Sequence, residues 1–211
     1  MNNLRSPFYN DLVRGIHNMD VIHVGELVND GKSELLQELN MFVHRDMNPE
    51  DVFIFEIKLC DNDIDKDFQC FATSTLVKMQ EMYIGETGLV GDSFSEIGQT
   101  ARIFKTMIKQ DSEKLTRYGV PYVELRAFAY MIRTSSNKNI IEDIETGRKK
   151  ECSISCSVSK KFCSICNKDN TRICCGHLPG IVYDNKLCYQ TLCDLQDVYE
   201  WEFVKHFDNE T

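Results

Sequence analysis

The chain reads as an α+β protein. Strand-like segments rich in β-branched and aromatic residues are interleaved with isolated helical patterns, and no regular βαβ repeat runs through it. One stretch, Cys152 to Ser159, alternates strictly between apolar residues and serines. With 211 residues, 42% of them hydrophobic, the chain is long enough for one compact core carrying a small appended module. Charged residues make up 27%, which is not the composition of a disordered chain.

From the N-terminus, two helical patterns are expected, near Tyr9 to His17 and from Ser33 to Asn40. In the second, Leu35, Leu36 and Leu39 share a face, Asp30-Gly31 makes the preceding turn and Ser33 is the N-cap. Asn48-Pro49 ends this region, so residues 1–48 read as a helical extension and 49–211 as the main domain. Val52 to Cys60 is a strand, followed by the acidic loop Asp61 to Asp67. Thr73 or Ser74 can cap a helix running to Met82. Gly85, Gly88 and Gly91 punctuate an irregular loop. Thr100 to Ile108 and Tyr122 to Arg133 read as strands, and Ser136 caps a short helix that Gly147 stops. In Cys152 to Ser159, period-2 alternation turns Cys152, Ile154, Cys156 and Val158 inward and every serine to the other face. Tyr199 to Val204 is the last expected strand.

Several function classes fall away. The formal net charge of −9 argues against a broad nucleic-acid-binding face, and a local basic run such as Arg148-Lys149-Lys150 reads as a solvated turn. No apolar run approaches the roughly 18 residues that span a bilayer. The first residues lack the apolar core of a signal peptide, so the expectation is a soluble intracellular protein with reduced thiols.

Those thiols are unevenly placed: eight of the ten cysteines fall between Cys152 and Cys193. Cys163-x2-Cys166 is a tight turn that can aim two thiolates at one point, and Cys175-x-His177 can supply two further ligands a short loop later. Together they make a Cys₃His set suited to structural Zn2+, in an insertion over about 160–180. Cys174 competes with Cys175 for the third place. Cys175 is preferred because, in strand-like backbone, its side chain and that of His177 point the same way. Cys188 and Cys193 read as core residues, and a redox role for the CxxC lacks a thioredoxin-like setting.

An ordered set of segments carries a resemblance. It comprises Cys60-Asp-Asn-Asp-Ile-Asp-Lys-Asp67, Gly85-Glu-Thr-Gly88, Gln99-Thr-Ala-Arg-Ile-Phe104, Ala127 to Arg133, Ile141 to Glu151, Ser153-Ile-Ser-Cys-Ser-Val158, Tyr183 to Cys188 and Asp197 to Val204. Over about 50–204 the chain resembles the prohead (capsid maturation) proteases of tailed phages, in the form found in clostridial phages and prophages. The resemblance implies a herpesvirus-protease-like β-barrel with flanking helices. It implies serine endopeptidase action on scaffold and major capsid protein, inside proheads assembling in the bacterial host cytoplasm. It places Ser153 at the nucleophile and Glu200 near the third catalytic member. The family's histidine falls in a loop that here holds none, and Asp92 occupies that place. A serine hydroxyl needs a positioned base, and an exposed Asp with a pKa of about 3.9 is a poor one near pH 7. His206 is a candidate substitute; His17, His23 and His44 lie outside the matched loop. Glu202 replaces the family's small residue beside the site, where a carboxylate opposes oxyanion charge. The resemblance therefore implies either a protease with an unusual base or a non-catalytic relative serving capsid assembly. An unrelated zinc-binding interaction module is the third reading, and homo-oligomerisation is left open.

Overall fold

The computed structural model describes residues 12–18, 31–89 and 99–203. Their centre is an eight-stranded sheet. Along it run β1 (Leu12–Asn18), β7 (Glu151–Cys163), β10 (Gln190–Phe203), β4 (Thr87–Leu89), β5 (Gln99–Leu115), β6 (Pro121–Ile132) and β2 (Val52–Asp61), while β3 (Gln69–Phe71) pairs with β10. The helices are α1 (Gly31–Val43), α2 (Thr73–Met82) and α3 (Lys138–Glu145), and a hairpin of β8 (Val182–Tyr183) and β9 (Lys186–Leu187) stands apart. The architecture is α+β with a mostly sheet core.

The sheet curls over that core. Phe55 of β2 meets Trp201 and Phe203 of β10, with ring centroids 6.4 and 6.1 Å apart, and the Cys152 thiol of β7 donates to the Lys58 carbonyl of β2 at 3.5 Å. Leu59, Leu125, Ile154 and Trp201 close the interior. The closed barrel implied by the resemblance is not formed. Closure requires a ladder between the two edge strands, and none joins β1 to β2 among the described residues. On the other side of the sheet α1 lays Leu35 and Leu39 over Val52, Phe104 and Phe128, and Glu38 receives Lys105 at 2.7 Å.

Several local expectations are corrected. The segment near Tyr9 to His17 forms a strand over Leu12–Asn18, paired with β7 along all seven positions, so residues 1–48 give the sheet a strand as well as a helix. Gly15, costing roughly 1 kcal/mol in a helix interior, and β-branched Val13 and Ile16 favour that outcome. Helix α1 begins at Gly31, ahead of the expected cap Ser33. Ala72, rather than Thr73 or Ser74, holds the N-cap of α2. Its N–H donates to Leu192 O, prolonging the β3–β10 ladder to the point where the chain enters the helix, and Thr75 Oγ1 donates to the same carbonyl. Asn137 caps α3, while Ser136 pairs with Thr134; Gly147 follows at φ 72° as expected. The Gly85–Gly88 region is partly strand, and Gly88 is needed there because a Cβ would enter the Trp201 ring. The acidic loop is held by its own carboxylates: Asp61, Asp63 and Asp65 accept the backbone N–H groups of Asp63, Ile64 and Gln69 at 2.8 Å each. Arg148 spends its charge on Asp143 at 2.7 Å.

Candidate metal centre and the serine strand

The centre is built where β7 ends. Lys168 O receives the Cys163 N–H and Cys163 O receives the Asn167 N–H, at 3.0 and 2.8 Å, which folds Cys163-Ser-Ile-Cys166 into a tight knuckle; Asn167 takes φ 55° to close it. Asn170 then anchors the second arm, its Oδ1 accepting the Cys175 N–H at 3.0 Å. Gly176, at φ 89°, reverses the chain so that His177 faces back toward the knuckle.

The outcome is a four-donor cluster. The ligand atoms of Cys163, Cys166, Cys175 and His177 all lie within 4.8 Å of one another. His177 Nδ1 is 3.5 Å from Cys175 Sγ and 3.8 Å from Cys163 Sγ. A tetrahedral Zn2+, with Zn–S about 2.3 Å and Zn–N about 2.0 Å, separates S and N by roughly 3.6 Å. The donor set therefore fits a metal ion in both chemistry and spacing. Cys174 is exposed and outside the cluster, so the structure selects Cys175 as the third thiol. The His177 N–H and ring and the Asn170 amide favour the Cys175 thiolate, bringing its pKa down to about 6. The His177 ring also packs edge-on against Tyr183 at 4.8 Å, and the Tyr183 hydroxyl accepts the Leu178 N–H.

Cys188, expected as a core residue, is buried at 1% exposure, and that burial, ahead of its neighbours, raises its thiol pKa to about 11. The hairpin turn Asp184-Asn185, both residues at positive φ, returns the chain toward the knuckle.

Ser153 sits on β7 at 9% exposure. Its Oγ donates to Glu202 Oε1 at 3.0 Å, and Glu202 is its direct cross-strand partner on β10. The expected third member, Glu200, is displaced by two register shifts: β10 carries one extra residue between Leu195 and Asp197 and another between Val198 and Trp201, which together bring Glu202 opposite Ser153. Glu200 instead belongs with Asp197 and Glu86. Burial, Asp197 and Glu200 together raise the Glu86 carboxyl. Asp92, His23 and His206 lie outside the described residues. Among the described imidazole rings, His44 is exposed beyond α1 and His177 belongs to the metal cluster, so neither serves Ser153.

Comparison with protein-family models, with curated proteins and with solved structures finds no match to this chain.

Proposed function

We propose that this protein is a zinc-stapled, non-catalytic relative of the prohead proteases that works in phage capsid assembly by binding the scaffold and the major capsid protein. The observation that carries this reading is the Ser153–Glu202 contact. The hydroxyl that a protease would use as nucleophile is spent on a carboxylate. A serine nucleophile needs a positioned base, the role usually filled by an imidazole, and a carboxylate is a much weaker one. Glu202 also sets negative charge where acyl transfer would need oxyanion stabilisation.

In this reading Cys163, Cys166, Cys175 and His177 hold Zn2+ as a structural ion. Four protein ligands leave no open position for water or substrate, so the metal supplies fold stability rather than Lewis-acid chemistry.

The test is intact-mass spectrometry after co-expression with capsid and scaffold proteins, for wild type, Ser153→Ala and Asp92→His. Binding of either protein without cleavage in wild type is the expected result. Fragments present in wild type and absent in Ser153→Ala would establish an active serine protease and overturn the reading. Cleavage appearing only in Asp92→His would identify the missing base as the reason for inactivity.

A further inference from the structure

Among the described residues eleven large apolar side chains are exposed, and four of them fall within 173–182: Ile173, Leu178, Ile181 and Val182, each 50–80% exposed. Single exposed aliphatics are ordinary on a protein surface, whereas a cluster of them marks an interaction site. The backbone under three of the four is fixed. The Leu178 N–H donates to the Tyr183 hydroxyl at 3.0 Å, and the Ile181 N–H donates to Leu178 O at 3.2 Å. Cys188 pins the same strip: its N–H donates to Ile181 O and its carbonyl accepts the Gly180 N–H, both at 2.8 Å. The strip cannot fold back onto the core without breaking those bonds.

The module also differs in charge from the rest of the chain. From Lys160 to Lys186 it has five basic residues and two acidic ones, a net +3, while the whole chain carries −9, so the remaining residues carry −12. Three thiolates with one Zn2+ would lower the module only to +2. Lys168, Arg172 and Lys186 are exposed and take part in none of the ion pairs among the described residues.

A face of opposite sign lies on α2 and the turn after it. Val77, Glu81 and Ile84 stand at i, i+4 and i+7, in one row, and all three are exposed. Neighbouring Lys78 is turned to Leu195 O at 2.9 Å. The chain runs on from Ile84 to Glu86. There β10 lies parallel to β4 with Trp201 opposite Gly88, so one step back along both strands sets Glu200 level with Thr87, next to Glu86. Two exposed aliphatics flanked by Glu81, Glu86 and Glu200 mirror the basic, aliphatic face of the module.

We propose that the apolar face of the metal module docks on a second copy of this chain, against the acidic Val77–Glu81–Ile84 row. Module against module would set two positive faces together, which disfavours a pairing of like faces. The contact is therefore head to tail. This inference does not depend on the capsid-assembly reading.

The test is sedimentation equilibrium of the full-length chain under reducing conditions, at about 1 to 100 μM, the range in which weak contacts of this kind are read. One variant reverses the module (Lys168→Glu, Arg172→Glu and Lys186→Glu), and a second reverses the other face (Glu81→Lys and Glu200→Lys). A third, Ile173→Asp with Leu178→Asp, removes apolar surface, and Met41→Asp alters an exposed apolar residue elsewhere, on α1. Wild type and Met41→Asp are expected to rise above the monomer mass with concentration. Each of the other three should associate at least about tenfold more weakly, the loss expected at the centre of an interface. An equal mixture of the two charge-reversed variants should regain association, because each then offers the other an opposite face; this regain also shows that both are folded. Wild type that stays monomeric throughout would overturn the inference and leave the face to another partner. Module variants that associate as wild type does, or a mixture no tighter than its components, would overturn it as well.

Discussion

Cys152 and Cys156 lie on the same strand as Cys163, and all three are buried to within 1%. Their chemistry is nevertheless opposite. Cys152 and Cys156 have the parity of Ile154 and Val158 and point into the main core, where loss of hydration keeps them protonated; the Cys156 thiol is pushed up to about 12. Cys163 has the parity of Ser153 to Ser159, at the far end of β7, and meets two other thiols and an imidazole. Burial is thus common to both groups. What separates them is whether a following loop brings further donors to the same point. Cys163 has such a loop in residues 164–177, and the core cysteines Cys152 and Cys156 lie outside the donor cluster.

The largest break in that comparison should come from removing the metal. Chelation, or Cys163→Ser, should lower the stability of the 163–190 module by about 4 kcal/mol, the value for a site whose free metal stood a thousandfold above its dissociation constant; urea unfolding with and without chelator measures it. A strain on the sheet should come next. Gly88→Ala drives a methyl group into Trp201 and should cost about 1–3 kcal/mol with metal content unchanged, as read by thermal unfolding. Cys156→Ala should cost about 1–2 kcal/mol through the small cavity it leaves, again with metal content unchanged.

A pH experiment sharpens the contrast. The Cys175 thiol has its folded pKa depressed from 9.0 to about 6, so its contribution to the metal-free fold is fully present above about pH 9 and is lost as pH falls through 6. Metal-free protein should therefore gain stability between pH 6 and 9, and Cys175→Ser should flatten that rise. In the same protein at pH 7, iodoacetamide should label Cys175 well before Cys152 or Cys156, as peptide mass mapping would show. The smallest effect belongs to Cys174→Ser, which should stay within about 0.5 kcal/mol and leave metal binding intact.

Much of this was legible in the residues. Alternation along Cys152 to Ser159 placed both cysteines inward, and the spacing of Cys163, Cys166, Cys175 and His177 named the cluster, because period-2 geometry and a CxxC turn are local properties. What was not legible depends on pairing across the sheet. The two β10 register shifts that set Glu202, and not Glu200, opposite Ser153 leave no mark in composition, and the β1 strand owes its conformation to a neighbour more than 130 residues away. The docking of the chain around Leu187 and Tyr189 onto the knuckle likewise needed the Ser164 bonds to those two residues, which join positions more than 20 apart.

The most direct test is native mass spectrometry of the full-length chain with its metal identified by elemental analysis, run on wild type, Cys163→Ser and Cys156→Ala. One zinc per chain in wild type and in Cys156→Ala, and none in Cys163→Ser, is the predicted result. A wild-type chain that carries no metal under reducing conditions, or a metal that survives Cys163→Ser, would contradict the account.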